Sequence, residues 1–149
     1  MQWNHLAEED CSLARALAVV GDRWTLLILR EAFLGVRRFD RFHDRLGIAR
    51  RILTERLAGL VADGILSRIP YQVRPERFEY RLTEKGLALY ATMLSLVHWG
   101  DRFYPSESGP PVRHEHKACG HLFHSVLTCS ECGKPVGARD VIAHQRAAS

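Results

Sequence analysis

The chain has 149 residues, 46% of them hydrophobic, and a formal charge of +4 at pH 7, which is room for one domain of ordinary size with a small appendage and apolar material for a real core. No apolar run approaches the roughly 20 residues of a membrane-spanning helix, the richest being Trp24–Leu29. The acidic start, MQWNHLAEEDC, has no basic segment leading into an apolar one, so no secretory signal and a cytoplasmic location are expected.

Arginine supplies 18 of the 21 basic residues, so the positive groups are mostly planar forks suited to phosphate or guanine. From Arg37 to Arg81 there are 11 Arg against 6 Asp or Glu, a local +5 that exceeds the charge of the whole chain. A basic patch of this kind points to an anionic partner.

In chain order, Cys11–Val20 and Trp24–Leu34 carry helical apolar spacing and meet at Gly21-Asp22, where Asp22 is placed to cap the second helix. Leu13, Leu17, Val20, Trp24, Leu27 and Ile28 read as core or dimer-facing residues. After the turn at Gly35-Val36-Arg37-Arg38, a short helix is expected over Phe39–Leu46, with Phe39, Phe42 and Leu46 on one side and Gly47 as its breaker.

Gly47–Ser67 contains a helix with two incompatible faces. Ile52, Leu53, Leu57, Leu60 and Val61 share one side, whereas Arg51, Glu55, Ala58 and Ala62 share the other. Small residues beside charged ones suit a helix that enters a narrow anionic groove, and a short helix, a tight turn and this helix make a helix-turn-helix. Ala49 is a weak N-cap, so fraying at the helix start is expected.

The period then changes. Ile65–Tyr71 and Phe78–Thr83 alternate as strands around Gln72–Arg77, a segment with Pro75 and two arginines, which predicts a β-hairpin with a basic tip. A helix-turn-helix followed by such a hairpin is a winged helix. A last long helix is expected from Thr83 to about Phe103, with Leu87, Tyr90, Met93, Leu94, Val97 and Trp99 along it. That is more apolar surface than one winged helix covers, so a homodimer is expected. The fold class is therefore mainly α with a small β-hairpin wing (α+β). The divisions are 10–104 for the DNA-binding and dimerisation domain, 105–112 for a Pro/Ser/Gly linker, and 113–142 for a zinc-ribbon-like appendage.

For double-stranded DNA the candidate residues are Arg50, Arg51, Thr54 and Glu55 at the start of the recognition helix, where Arg reads guanine and Glu accepts from cytosine. Glu55 has the alternative role of orienting Arg51 at the i,i+4 distance. Arg37 and Arg38 before the short helix, and Arg74 and Arg77 on the wing, suit phosphate contacts. A solvated surface charge is the plain alternative for each.

Four cysteines in a chain without a secretory signal point to metal or redox chemistry. His116-x2-Cys119 and Cys129-x2-Cys132 form two ligand pairs at the spacing with which knuckles grip one tetrahedral Zn²⁺, each followed by a glycine, Gly120 and Gly133. His114, His121 and His124 compete with His116 for the fourth position. A zinc deaminase would require His-x-Glu and Pro-Cys-x-x-Cys, but here His114-Glu115-His116 is misordered and Cys129 follows Thr128. No glycine-rich phosphate loop is present, and no enzymatic activity is expected. A DNA-independent zinc-knuckle interaction module is the other reading of the tail.

Gly21–Leu29, Gly35–Phe39, Gly64-Ile65-Leu66 and Glu79–Gly86 together resemble the HxlR-type family of winged-helix transcriptional regulators, over roughly Cys11 to Gly100. The resemblance implies a cytoplasmic homodimer that binds operator DNA, read here as a repressor, and several members respond to aldehydes, quinones or other oxidants. It places Cys11 where many members carry a cysteine, as a possible sensor of an oxidant or small-molecule effector. Ser12 stands where a Pro usually follows, Arg23 where a Lys precedes the Trp, and Ala49 where a Ser commonly opens the recognition helix.

Overall fold

The computed structural model describes residues 3–145, and its contacts divide the chain into two compact units, Met1–Met93 and Leu94–Ser149. The first opens with a 3-10 helix over Trp3–Glu8, followed by α1 (Ser12–Val20), α2 (Arg23–Phe33), α3 (Phe39–Leu46) and α4 (Arg50–Ala62). Asp22 does cap α2, its Oδ1 accepting from the amides of Trp24 at 2.9 Å and Thr25 at 3.3 Å. Gly47 ends α3 in the left-handed region at φ 60°, where a side chain would be strained. His43 closes the same turn: the Ile48 carbonyl can only accept, so Nδ1 carries the proton and donates to it across 2.8 Å.

The helical spacing becomes a core. Ile28 and Leu29 of α2, Phe42 of α3, Ile48 of the turn, Leu53, Leu57 and Leu60 of α4, and Ile65 and Leu66 beyond it are all buried. Each such side chain is worth about 1.5–3 kcal/mol relative to exposure, so α4 is held rigidly by its apolar side. Arg51, Glu55, Ala58 and Ala62 are exposed, as the two-faced pattern requires.

The hairpin pairs β1 (Leu66–Val73) with β2 (Glu76–Leu82) in antiparallel register, Leu66 opposite Leu82 and Val73 opposite Glu76, with an irregularity between Pro70 and Gln72. The predicted six-residue loop Gln72–Arg77 is corrected to a tip of Arg74-Pro75, joined by a cis peptide, because cross-strand pairing carries on through Gln72 and Arg77. The Arg37 carbonyl accepts from the Tyr80 amide at 2.7 Å, so the segment before α3 bridges to β2.

The single long helix expected from Thr83 to Phe103 is also corrected: α5 (Glu84–Leu87) and α6 (Tyr90–Phe103) are separate. At the break the Leu89 amide bonds the Gly86 carbonyl, a tighter three-residue step. Thr83 caps α5 through Oγ1 to the Gly86 amide at 3.1 Å, and the same hydroxyl donates to the Gly64 carbonyl. Gly86 is buried against the chain that leaves α4; a Cβ there would stand 2.3 Å from the Ile65 oxygen. Close packing at α5 thus fixes where the wing begins.

In the second unit, residues 104–114 carry no helix or strand, and β3 (Glu115–His116) pairs with β4 (His121–Leu122). A second turn lies between Leu127 and Val136, tied by the Val136 amide to the Leu127 carbonyl and by the Cys129 amide to the Lys134 carbonyl, each at 2.9 Å. His98 of α6 anchors the intervening strap. Its Nδ1 accepts from the Ser125 amide at 2.7 Å, and its ring meets His114 and Phe123 edge-on, at 5.5 and 6.3 Å. Burial, then the neighbouring His114, lowers the His98 pKa.

Candidate nucleic-acid interface

The exposed side of α4 starts with Arg50, Arg51, Thr54 and Glu55, all solvent-accessible. Arg51 is 88% exposed and its Nε donates to Glu55 Oε1 at 3.0 Å, an i,i+4 contact. Arg50 lies over the Phe39 ring at 4.9 Å and donates to Asp40 Oδ1 at 2.9 Å, which ties the start of α4 to the start of α3. Thr54 Oγ1 returns a hydrogen bond to the Arg50 carbonyl at 2.9 Å, and Ala49 supplies no side-chain cap.

On the wing, Arg74 occupies the tip and Arg77 is the second residue of β2, opposite Gln72, both exposed. Arg38 is more constrained than its place in the sequence suggests. Its guanidinium stacks over Tyr71 of β1 at 4.4 Å and donates to Glu79 of β2 at 3.4 Å. Glu79 also accepts from Arg81 at 3.0 Å, and the hydrogen bonds of Arg81 and then Arg38 hold its carboxyl below the ordinary range. Arg68 stacks on Phe78 at 3.5 Å. Arg37 and Arg38 join Arg41 and Arg45 along a cleft closed by Glu79. Arg41, which no local pattern sets apart in the sequence, lies one turn beyond Arg37 and Arg38.

Cys11 is half-buried and forms the N-cap of α1, away from the other cysteines in sequence. Arg15 lies beside the acidic run, its Nη1 3.9 Å from Asp10 Oδ1 and 2.9 Å from the Glu9 carbonyl.

In the tail the two predicted ligand pairs each sit on a tight turn. His116 Nδ1 lies 3.3 Å from Cys119 Sγ, and the His116 carbonyl accepts from the amides of Cys119 and Gly120. The Cys129 carbonyl accepts from the Gly133 amide at 2.9 Å; Gly120 and Gly133 take φ 68° and 70°. The amides of Cys132 and Glu131, with the Cys132 side chain, lower the Cys129 pKa, the arrangement that favours a thiolate ligand. The donor types and both turns fit zinc pair by pair, although among the described residues no three such side chains gather at one point.

A helix-turn-helix on a rigid core, with an arginine-rich wing beside its second helix, defines a winged-helix DNA-binding domain. The HxlR-like helix-turn-helix family profile matches residues 19–108. The chain belongs to that family and is a DNA-binding transcriptional regulator of its type. It is 50% identical over 133 residues to the uncharacterised HTH-type transcriptional regulator Rv3095 of Mycobacterium tuberculosis, across 89% of this chain and 84% of that protein. The crystal structure of PA1607, a candidate transcription factor, aligns with a TM-score of 0.84 at 33% identity, over 96% of this chain and 99% of that one. The oxidised form of the redox regulator HypR aligns with a TM-score of 0.57 at 34% identity, over 62% of this chain and 96% of HypR. The PA1607 match is too long to omit the tail, whereas HypR spans a region the size of the winged helix alone.

Proposed function

We propose that this chain is a cytoplasmic, homodimeric repressor that reads palindromic operator DNA. Arg51, Thr54 and Glu55 face the base edges of a major groove, while Arg37, Arg38, Arg50, Arg74 and Arg77 set position on the backbone. The observation that carries the reading is the pairing of an exposed, small-and-charged face on α4 with an apolar face locked in the core. Exposed Leu13 on α1 and Trp99 and Phe103 on α6 support a dimer. Selection from random duplex DNA tests it: a palindrome with half-site centres about 34–36 Å apart is expected, and failure to enrich any sequence sinks the proposal.

The tail would hold one structural Zn²⁺ through His116, Cys119, Cys129 and Cys132. Leu122, Val126, Leu127, Val141 and Ile142 are exposed there, too little burial for a segment this short to fold on apolar contacts alone. Zinc would supply that free energy by cross-linking the two turns.

A second reading, in which Cys11 senses an oxidant or electrophile, is supported by the likeness to the redox regulator HypR and by the partial exposure of Cys11 at a helix start.

A further inference from the structure

A cleft of about 640 Å³ opens between the 3-10 helix, α1, the α1–α2 turn and α4, within the size range of small-molecule sites. Leu6, Leu17 and Val19 give it apolar wall, and its charged groups are Asp22, Arg23 and Arg56.

Arg56 is the unusual member. Eight arginines in the first unit stand within ion-pair distance of a carboxylate among the described residues, and all except Arg56 also donate a hydrogen bond. Its Nε is sealed from solvent without an acceptor. The nearest carboxylate oxygen, Asp22 Oδ1 at 3.4 Å, already accepts from the Trp24 and Thr25 amides. Asp22 Oδ1 is therefore shared between the α2 cap and this ion pair. The Nε thus sits beside Asp22 without an aligned acceptor, while the guanidinium, on a side chain 42% exposed, lines the cleft.

We propose that this cleft binds an amphipathic monocarboxylate, an aryl or acyl acid, with its carboxylate on the Arg56 guanidinium and its apolar body against Leu6, Leu17 and Val19. A carboxylate matches the fork bidentately. Arg23 and Arg56 against Asp22 leave a single net positive charge, which suits a monoanion over a phosphate dianion. A neutral ligand of the same shape would bury wall but leave the donors of Arg56 unmatched. Since Arg56 belongs to α4, an occupant is gripped by the helix that faces DNA. The site stands independently of the DNA-binding reading, and it is tested without DNA.

The experiment is calorimetric titration of the full chain with benzoate, 2-naphthoate and octanoate, and with neutral 2-naphthalenemethanol. One saturable site per chain is expected for at least one acid, with the alcohol weaker than naphthoate by about tenfold or more. Arg56→Gln removes the fork and Ala18→Phe fills the cleft without touching it; each is expected to lower affinity about tenfold. The unaltered chain gives an independent reading: the Arg56 Nε–Hε resonance moves during a 2-naphthoate titration and is unmoved by the alcohol. Absence of saturable binding by all three acids, undiminished affinity in both variants, or a stationary Arg56 resonance at saturation would each overturn the proposal.

Discussion

Glu31 is the buried charge around which the helix-turn-helix is clamped. Its side chain is 2% exposed and accepts from Arg30, its neighbour on α2, at 2.6 Å, and from Arg45 Nε in the last turn of α3. One carboxylate thereby ties α2 to the first helix of the DNA-binding motif. Breaking a fully buried ion pair costs about 3–5 kcal/mol. Arg30 and Arg45 are 44% and 53% exposed, so both recover water when the carboxylate is neutralised, and the full figure is not reached. What remains is the loss of charge-assisted hydrogen bonds, about 1.5–3 kcal/mol when made inside a protein. Glu31→Gln, which keeps the volume, is therefore expected to cost about 2 kcal/mol and lower the melting temperature by about 4–8 °C. Urea unfolding followed by far-UV circular dichroism gives the first figure, and a cycle with Arg45→Ala gives the coupling energy, expected near 1 kcal/mol or above. A Glu31→Gln variant within about 0.5 kcal/mol of the parent, or a coupling of zero, would show that the carboxylate does not clamp the two helices.

Arg51→Ala is expected to cost about 1–3 kcal/mol of operator binding and to relax preference at one position per half-site, whereas Arg74→Ala should weaken all sequences alike and reduce the salt slope by about one; equal losses with unchanged preference in both would remove Arg51 from base reading. Gly86→Ala should destabilise the winged helix by about 1–3 kcal/mol, since its Cβ would stand 2.3 Å from the Ile65 oxygen; a melting temperature equal to the parent's would show that the backbone yields there. If Cys11 senses oxidants, Cys11→Ser keeps operator binding but no longer loses it under diamide; release that persists in the variant argues for another thiol. Mass spectrometry on protein purified without added metal should find about one zinc per chain, with chelation opening only the tail to limited proteolysis. A metal-free chain whose tail already resists protease would contradict the zinc proposal.

The parts of this fold that were legible in the sequence are those fixed by neighbours. Gly47 marks the end of α3 because only the left-handed conformation closes that turn, and the two sides of α4 follow from spacing alone. The knuckle turns at Gly120 and Gly133 are equally local. The break between α5 and α6 was hidden, because Leu87, Tyr90, Met93 and Leu94 keep helical phase across it. Glu31 was hidden because its second partner, Arg45, is 14 positions away. His98 reaches Ser125 across 27 positions, and nothing in the local pattern of α6 distinguishes it from a surface histidine.

The same long-range pairing changes what a cluster of arginines means for DNA. Sequence counts every arginine between Arg37 and Arg81 as equally available, but the fold sorts the candidates. Arg38 is held by Glu79 and Tyr71, Arg50 by Asp40 and Phe39, and Arg51 by Glu55, whereas Arg37, Arg41, Arg74 and Arg77 have no ion-pair partner among the described residues. Salt dependence measures phosphates neutralised, about 0.9 units of slope each on duplex DNA. An arginine that approaches with its carboxylate attached carries little net charge to a phosphate, so the unpaired arginines are expected to set the slope. The paired ones contribute differently. The exposed pair of Arg51 with Glu55 is worth little in the free protein, so parting from the carboxylate costs little wherever a guanine edge offers two acceptors in its place. Where the sequence offers no such edge, Arg51 stays on Glu55. That exchange is a reason for discrimination to be concentrated in α4, with the wing and the Arg37–Arg41 segment supplying affinity that any duplex receives.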